Sequence, residues 1–176
     1  MIAGLILAAG ESSRMGRDKA LLTYRGRSFL ENIVSTLREA GIERLTVVLG
    51  HHAEEVQQAV QLEGTAIVVN TEYHRGQTSS LQAGLRAIES PEVEAAVLQL
   101  VDHPAVMPET VRKLVESFQA HHPPVVMPTF QNQRGHPVVI SRALFPELLS
   151  LGPNQGANTV IRKYRDATLF VQVDDD

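Results

Sequence analysis

The chain has 176 residues, of which 43% are hydrophobic and 20% charged, a length and balance that fit one compact domain and leave little room for a second. With 16 Lys+Arg against 20 Asp+Glu the formal net charge is -4, so no basic excess is available for a nucleic-acid backbone or an anionic membrane surface. Cys and Trp are absent and aromatics amount to 5%. That excludes disulfides, thiolate metal sites and cysteine nucleophiles, disfavours an RNA-stacking platform, and suits a reducing cytoplasm, the expected location.

Residues 2–8 form a continuous apolar run ending at a glycine, the pattern of a parallel strand buried on both faces. The run falls far short of the roughly 20 residues a membrane span needs and has no basic stretch before it. After a polar loop, Ser28 and Glu31 pair as a capping box ahead of Phe29, Leu30, Ile33, Val34 and Leu37, and Gly41 supplies the stop, which predicts an amphipathic helix. Strands follow over 45–49, 66–69 and 95–101, with helices over 53–62 and 79–88. Pro108 then opens a helix carrying Val111, Leu114, Val115 and Phe118 on one face. Such alternation predicts right-handed crossovers and an α/β fold with a doubly wound, mostly parallel sheet.

Past residue 120 the pattern loosens. Short strands are expected over 125–127, 138–140 and 169–173, a hairpin around 131–135, and short helices near Leu144 and Val160. This part should be mixed and partly antiparallel, at the sheet edges. In open α/β sheets ligands sit beyond the carboxyl ends of the strands, so Ala9-Gly10, Asn70 and Asp102 should converge on one site.

The segment from Leu7 to Lys19 combines two glycines, two serines and three cations. Backbone N–H groups freed by glycine can wrap oxyanions, and Arg14 and Lys19 add positive charge where a polyphosphate is negative. The spacing is neither G-x-x-x-x-G-K-[ST] nor G-x-G-x-x-G, and on composition alone a solvated surface loop is equally available. The string Leu7-Ala8-Ala9-Gly10-x-Ser12-Ser13-Arg14-Met15-Gly16-x-x-Lys19-x-Leu21-Leu22 resembles, however, the N-terminal signature of nucleotidyltransferases that join an NTP to a phosphorylated acceptor. Within them the chain is similar to the molybdenum-cofactor cytidylyltransferases, of the MobA-like NTP transferase group, through Gly76-Gln77-Thr78-Ser79-Ser80-Leu81-x-Ala83-Gly84-Leu85, Asp102-His103-Pro104 and Arg134-Gly135-His136-Pro137.

The resemblance implies a Rossmann-like nucleotidyltransferase fold and Mg2+-dependent transfer of CMP from CTP to the terminal phosphate of molybdopterin, with pyrophosphate released. Ala9 stands where related guanylyltransferases carry Gly, which points to CTP. Three departures bear on the acceptor: His103 replaces a common Gln, Gln77 a common Met, and 152–157 departs from Gly-Asp-x-Gly-Ala. The family continues past its last strand where this chain reads Asp174-Asp175-Asp176. The expectation is therefore one domain over 1–176, cut short at its C-terminus, with only these three acids left to supply a second metal ligand from that region.

Roles follow residue by residue from the resemblance. Lys19 would neutralise charge growing on the α-phosphate and leaving pyrophosphate, and Arg14 would hold the β and γ phosphates. Asp102, at a strand's carboxyl end, would ligate the metal through a hard oxygen; helix capping is the plainer role, but Pro108 lies too far downstream for it. Nucleotide contacts are expected from Leu7, Ala8, Ala9, Gly10, Ser12, Ser13, Gly16, Asn70, Gln77, Thr78, Ser79 and Ser80. For the hydroxyls of 78–80 helix capping serves equally well, and Asn70 could simply end its strand. His103, Gly135 and His136 are assigned to the acceptor, whereas the adjacent pairs His51-His52 and His121-His122 lack metal-site spacing. A molybdenum hydroxylase would receive the product. The alternatives are transfer to a sugar or polyol phosphate, and a non-catalytic module that binds and delivers cofactor.

Overall fold

Strand β1 (Ile2–Ala8) is buried along almost its whole length because it is flanked by parallel neighbours, β4 (Leu45–Leu49) and β6 (Ala95–Leu100). The computed structural model describes residues 1–10 and 18–175. Alternation along β1 sends Ile6 and Ala8 into one hydrophobic layer with Val47, Leu49 and Val97, and Leu5 and Leu7 into the other with Val48 and Leu98. The first layer is closed by α1 (Phe29–Glu39), α2 (Ala53–Ala59) and α4 (Pro108–His121). The second is closed by α3 (Gln77–Ile88), α5 (Phe145–Leu149) and α6 (Asn158–Lys163). Helices on both faces of a largely parallel sheet make the predicted doubly wound α/β architecture. Among the described residues no helix is long and apolar enough to cross a membrane.

Beyond β4 lies the edge strand β5 (Ala66–Val69), so β1, β4 and β5 run outward in one direction while β6 lies on the other side of β1. The chain thus reverses its direction of winding between β1 and β6, and a crevice opens at their carboxyl ends. Beyond β6 come β9 (Val138–Ser141), β7 (Val125–Phe130) and β10 (Leu169–Gln172). This part is mixed and partly antiparallel, as expected, but the mixing is not confined to the edge. The longer antiparallel strand, β9, is internal, pairing β6 on one side and β7 on the other, while β10 at the edge is parallel to β7. The reversal that permits it is the predicted hairpin. Gln131 and Asn132, both at positive φ, turn β7 into the short β8 (Gln133–Arg134), as a two-residue turn with matching twist requires.

Smaller corrections concern boundaries. Helix α2 stops at Ala59, α3 starts at Gln77, and the polar loop before α1 holds a miniature hairpin of β2 (Thr23–Tyr24) and β3 (Arg27–Ser28). The capping box is present in full: the Ser28 hydroxyl accepts from the Glu31 N–H at 3.1 Å, and the Glu31 carboxylate accepts from the Ser28 N–H at 3.1 Å.

Candidate active site

Lys19 opens a short 3-10 turn, Lys19–Leu21, whose N-cap is Asp18. The Asp18 carboxylate accepts from the Ala20 N–H at 2.9 Å, and Ala20 and Leu21 are buried in the first hydrophobic layer. Burial pushes the Asp18 carboxyl above its usual range, opposed by the Ala20 hydrogen bond and by His52 and His51, with Glu55 adding to the rise. This anchored turn carries the Lys19 ammonium to 3.8 Å from a carboxylate oxygen of Asp102. The side chains are 42% and 44% exposed, so the pair contributes at most about 1 kcal/mol to folding. Its position across the crevice, from the segment after β1 to the turn after β6, has more consequence for chemistry than for stability.

Asp102 is held by its own strand. Gln99, fully buried on β6, donates from Nε2 to the carbonyls of Leu100 at 2.9 Å and His103 at 3.3 Å, bracketing the turn that presents Asp102. The second carboxylate oxygen of Asp102 lies 3.5 Å from His103 Nε2. Asp102 does not cap α4, whose preceding residue, Met107, makes no side-chain cap.

A cavity of about 310 Å³ surrounds this pair and is lined by Leu7, Ala8, Ala9, Gly10, Lys19, Gln77, Ser80 and Asp102, together with Tyr73 and His74. The structure thus brings together eight of the residues singled out from the sequence. Ser12, Ser13, Arg14 and Gly16 lie outside the described residues.

Asn70 and Ser79 do not line that cavity. Asn70 is 6% exposed; its amide donates to the hydroxyls of Ser79 and Ser80, each at 2.9 Å, and accepts from the Glu72 N–H at 3.0 Å. With donors and acceptor all engaged, Asn70 ties the end of β5 to the start of α3. Ser79 also donates towards the carbonyls of Gly76 at 2.7 Å and Glu72 at 3.1 Å. Thr78 donates to the Gln155 carbonyl at 2.7 Å. Asn70 and Ser79 thus brace the start of α3, while Thr78 lines the neighbouring cavity.

Leu7, Gln77 and Leu100 are shared with a second cavity of about 480 Å³. It holds the predicted Gly135 and His136 and the Arg134 of the same motif, along with Arg162, Arg165, Met127 and Phe170, which no sequence motif singled out. The rings of His103 and His136 stack, with centroids 5.4 Å apart. Burial, reinforced by His103, holds the His136 imidazole below its ordinary pKa, against a hydrogen bond with the Leu98 backbone and the charge of Asp102. His136 Nδ1 is buried without a hydrogen-bond partner among the described residues.

A third cavity, of about 300 Å³, is shared by Asp102, His103, His136 and Asp175. Of the three terminal acids left as candidates for a second metal ligand, Asp176 lies outside the described residues and Asp175 has a different use. Its carboxylate accepts from the Met107 N–H at 2.9 Å and from the Thr110 hydroxyl, satisfying donors that the first turn of α4 leaves open. Among the described residues no group of three or more His, Cys, Asp or Glu is placed to hold a metal ion.

Comparison with known proteins places this geometry. The sequence profile of the MobA-like NTP transferase domain matches residues 4–168. A protein of Paenarthrobacter nicotinovorans named nicotine blue oxidoreductase is 34% identical over 172 residues, covering 92% of this chain and 82% of that one. One from Opitutus terrae named probable molybdenum cofactor guanylyltransferase is 34% identical over 105 residues, covering 60% of this chain and half of that one. Among solved structures, Rv0371c from Mycobacterium tuberculosis H37Rv superposes with a TM-score of 0.86 at 34% identity, covering 98% of this chain and 88% of that one. A manganese complex of Rv0371c is also similar, with a TM-score of 0.84 at 31% identity over 98% of this chain and 88% of that one.

Proposed function

Since the chain belongs to the MobA-like NTP transferase domain family, we propose that it moves CMP from CTP to the terminal phosphate of a molybdopterin-type acceptor, releasing pyrophosphate. The observation that carries the reading is the Lys19–Asp102 pair, 3.8 Å apart at the crevice between β1 and β6. An acceptor phosphate is already ionised at neutral pH, so the protein needs no strong general base; it must align the attack and stabilise charge on the α-phosphate. The Lys19 ammonium supplies that charge. Leu7 to Gly10 and Gln77 line the cavity on the nucleotide side, His103, Gly135 and His136 face the acceptor, and the resemblance of the sequence to the family signature assigns Arg14, Ser12, Ser13 and Gly16 to the phosphates.

The donor set suits a divalent ion. Asp102 offers a half-exposed, hard carboxylate oxygen, which Mg2+ takes together with phosphate oxygens and water in preference to an all-protein cage. When bound, such an ion would supply charge stabilisation at the phosphates, and the manganese complex of Rv0371c supports divalent-metal use. Ala9 supports CTP over GTP as the donor, and a molybdenum hydroxylase is the proposed recipient of the product.

The relative named as an oxidoreductase favours a second reading, in which the same crevice takes a redox dinucleotide. A screen with CTP, GTP and UTP against molybdopterin, sugar phosphates and polyol phosphates, read as pyrophosphate release with Mg2+, tests the first reading. NADH and NADPH oxidation is followed in parallel. Release with CTP and molybdopterin alone is the expected result. Tight CTP binding without release would favour a cofactor-delivery module, and dinucleotide oxidation without release would favour the redox reading.

A further inference from the structure

The 480 Å³ cavity beside the Lys19–Asp102 pair carries an imbalance of charge. Arg134, Arg162 and Arg165 all line it, whereas none of the described residues lining it is acidic, in a chain with more acids than bases. All three side chains are exposed, and none makes an ion pair with another described residue, although Arg75, Arg112 and Lys163 elsewhere do. Three like charges without counter-ions among the described residues repel one another, and an anion entering among them relieves that repulsion.

The remaining wall says what the anion is attached to. Met127, Ile161 and Phe170 give an apolar surface, and the Arg134 guanidinium lies 5.1 Å from the Phe170 ring centroid. Guanidinium planes and aromatic faces accept flat ring systems, and a guanidinium also binds a carboxylate or phosphate through paired N–H groups. We propose that this cavity binds a planar ring system bearing its own negative charge, the far end of the acceptor, and that Arg162 and Arg165 take that charge. The assignment of the ring to the acceptor rests on the transferase reading. Charge recognition itself does not.

The test uses two fluorescent probes of the same flat skeleton, pterin-6-carboxylate and uncharged 6-methylpterin, titrated into the whole protein without nucleotide. The carboxylate is expected to bind about tenfold more tightly, as charge-assisted hydrogen bonds to arginine allow. The Arg162→Gln/Arg165→Gln double variant, altered only at exposed positions, should keep its melting temperature and lose most of that preference. The Lys19→Ala variant should keep it. Equal affinity for the two probes in the unaltered protein, or an undiminished preference in the double variant, overturns the proposal. Saturating CTP should leave the carboxylate bound; displacement would hand the arginines to the nucleotide and overturn the acceptor assignment. Since the preference is read without turnover, failure of pyrophosphate release would sink the proposed reaction and leave the anion site standing.

Discussion

Lys19 and Asp102 each depend on a neighbour that fixes them, and the two supports differ. Lys19 rides on a turn anchored by a buried aspartate, Asp102 on a turn bracketed by the buried Gln99 amide. If the ammonium's strongest interaction develops as charge grows on the α-phosphate and the leaving pyrophosphate, Lys19→Ala should lower kcat by about 100-fold to 1000-fold, as the loss of one transition-state donor does elsewhere. CTP affinity should fall far less. Single-turnover kinetics beside equilibrium CTP binding separates the two, and an unchanged kcat would remove Lys19 from the chemistry.

His136 carries a pH prediction of definite sign. Its folded-state pKa lies below the reference value of 6.5 because burial, helped by His103, disfavours the imidazolium. The unfolded chain therefore takes up a proton near pH 6.5 that the folded chain refuses. Stability is full above the unfolded value and falls as pH drops through the window down to the folded value. His136→Gln should flatten this acid limb; comparing urea midpoints at about pH 7.5 and about pH 5.5 reads it directly. The same acid limb in both proteins would show that His136 is not the group responsible.

At the scale of elements, the Ser28–Glu31 capping box was legible in the sequence and forms with both reciprocal hydrogen bonds. Burial raises the Glu31 carboxyl pKa, yet hydrogen bonds from the Ser28 N–H and hydroxyl and the Gln61 N–H, with the Arg27 charge, bring it below the usual range. Ser28→Ala should cost about 1 kcal/mol, seen as a lowered urea midpoint with an unchanged m-value, and a change within error would show that the cap is redundant. Strands β1, β4 and β6 were equally legible, because a strand covered on both faces reads as an unbroken apolar run. The insertion of β9 between β6 and β7 was not. Val138–Ser141 would read the same at an edge as in the interior, since pairing partners far apart in sequence leave no local trace. The hairpin of β2 and β3 was missed because strands of two residues have no period to detect. Among site residues, those inside long motifs were found, whereas Arg162 and Arg165 were not. A charged side chain on a short helix or 3-10 turn looks like any solvated surface residue until the fold shows which cavity it faces.

The whole molecule places its crevice by bringing the ends of successive βα units against one another. Gly50, just past β4, is where this becomes sterically exact enough to test. A Cβ built there would stand 2.5 Å from the Ala9 carbonyl oxygen, 2.8 Å from Tyr73 Cβ and 3.0 Å from Ala9 Cβ. Backbone after β1, backbone after β4 and the turn after β5 therefore meet with no space for one methyl group. Ala9 and Tyr73 both line the cavity around Lys19 and Asp102, so this contact sets how close the nucleotide-side wall comes to the pair. Gly50→Ala must move the Ala9 backbone, because the nearest atom is a carbonyl oxygen that no rotamer change can withdraw. The strain should destabilise the fold by about 1–3 kcal/mol. CTP affinity should fall as well, since positioning contacts fail with displacements of about 1 Å. Urea unfolding and calorimetric CTP titration of the same protein check both parts. A variant that matches the unaltered protein in midpoint and affinity would show that the close approach of the three units does not set the wall.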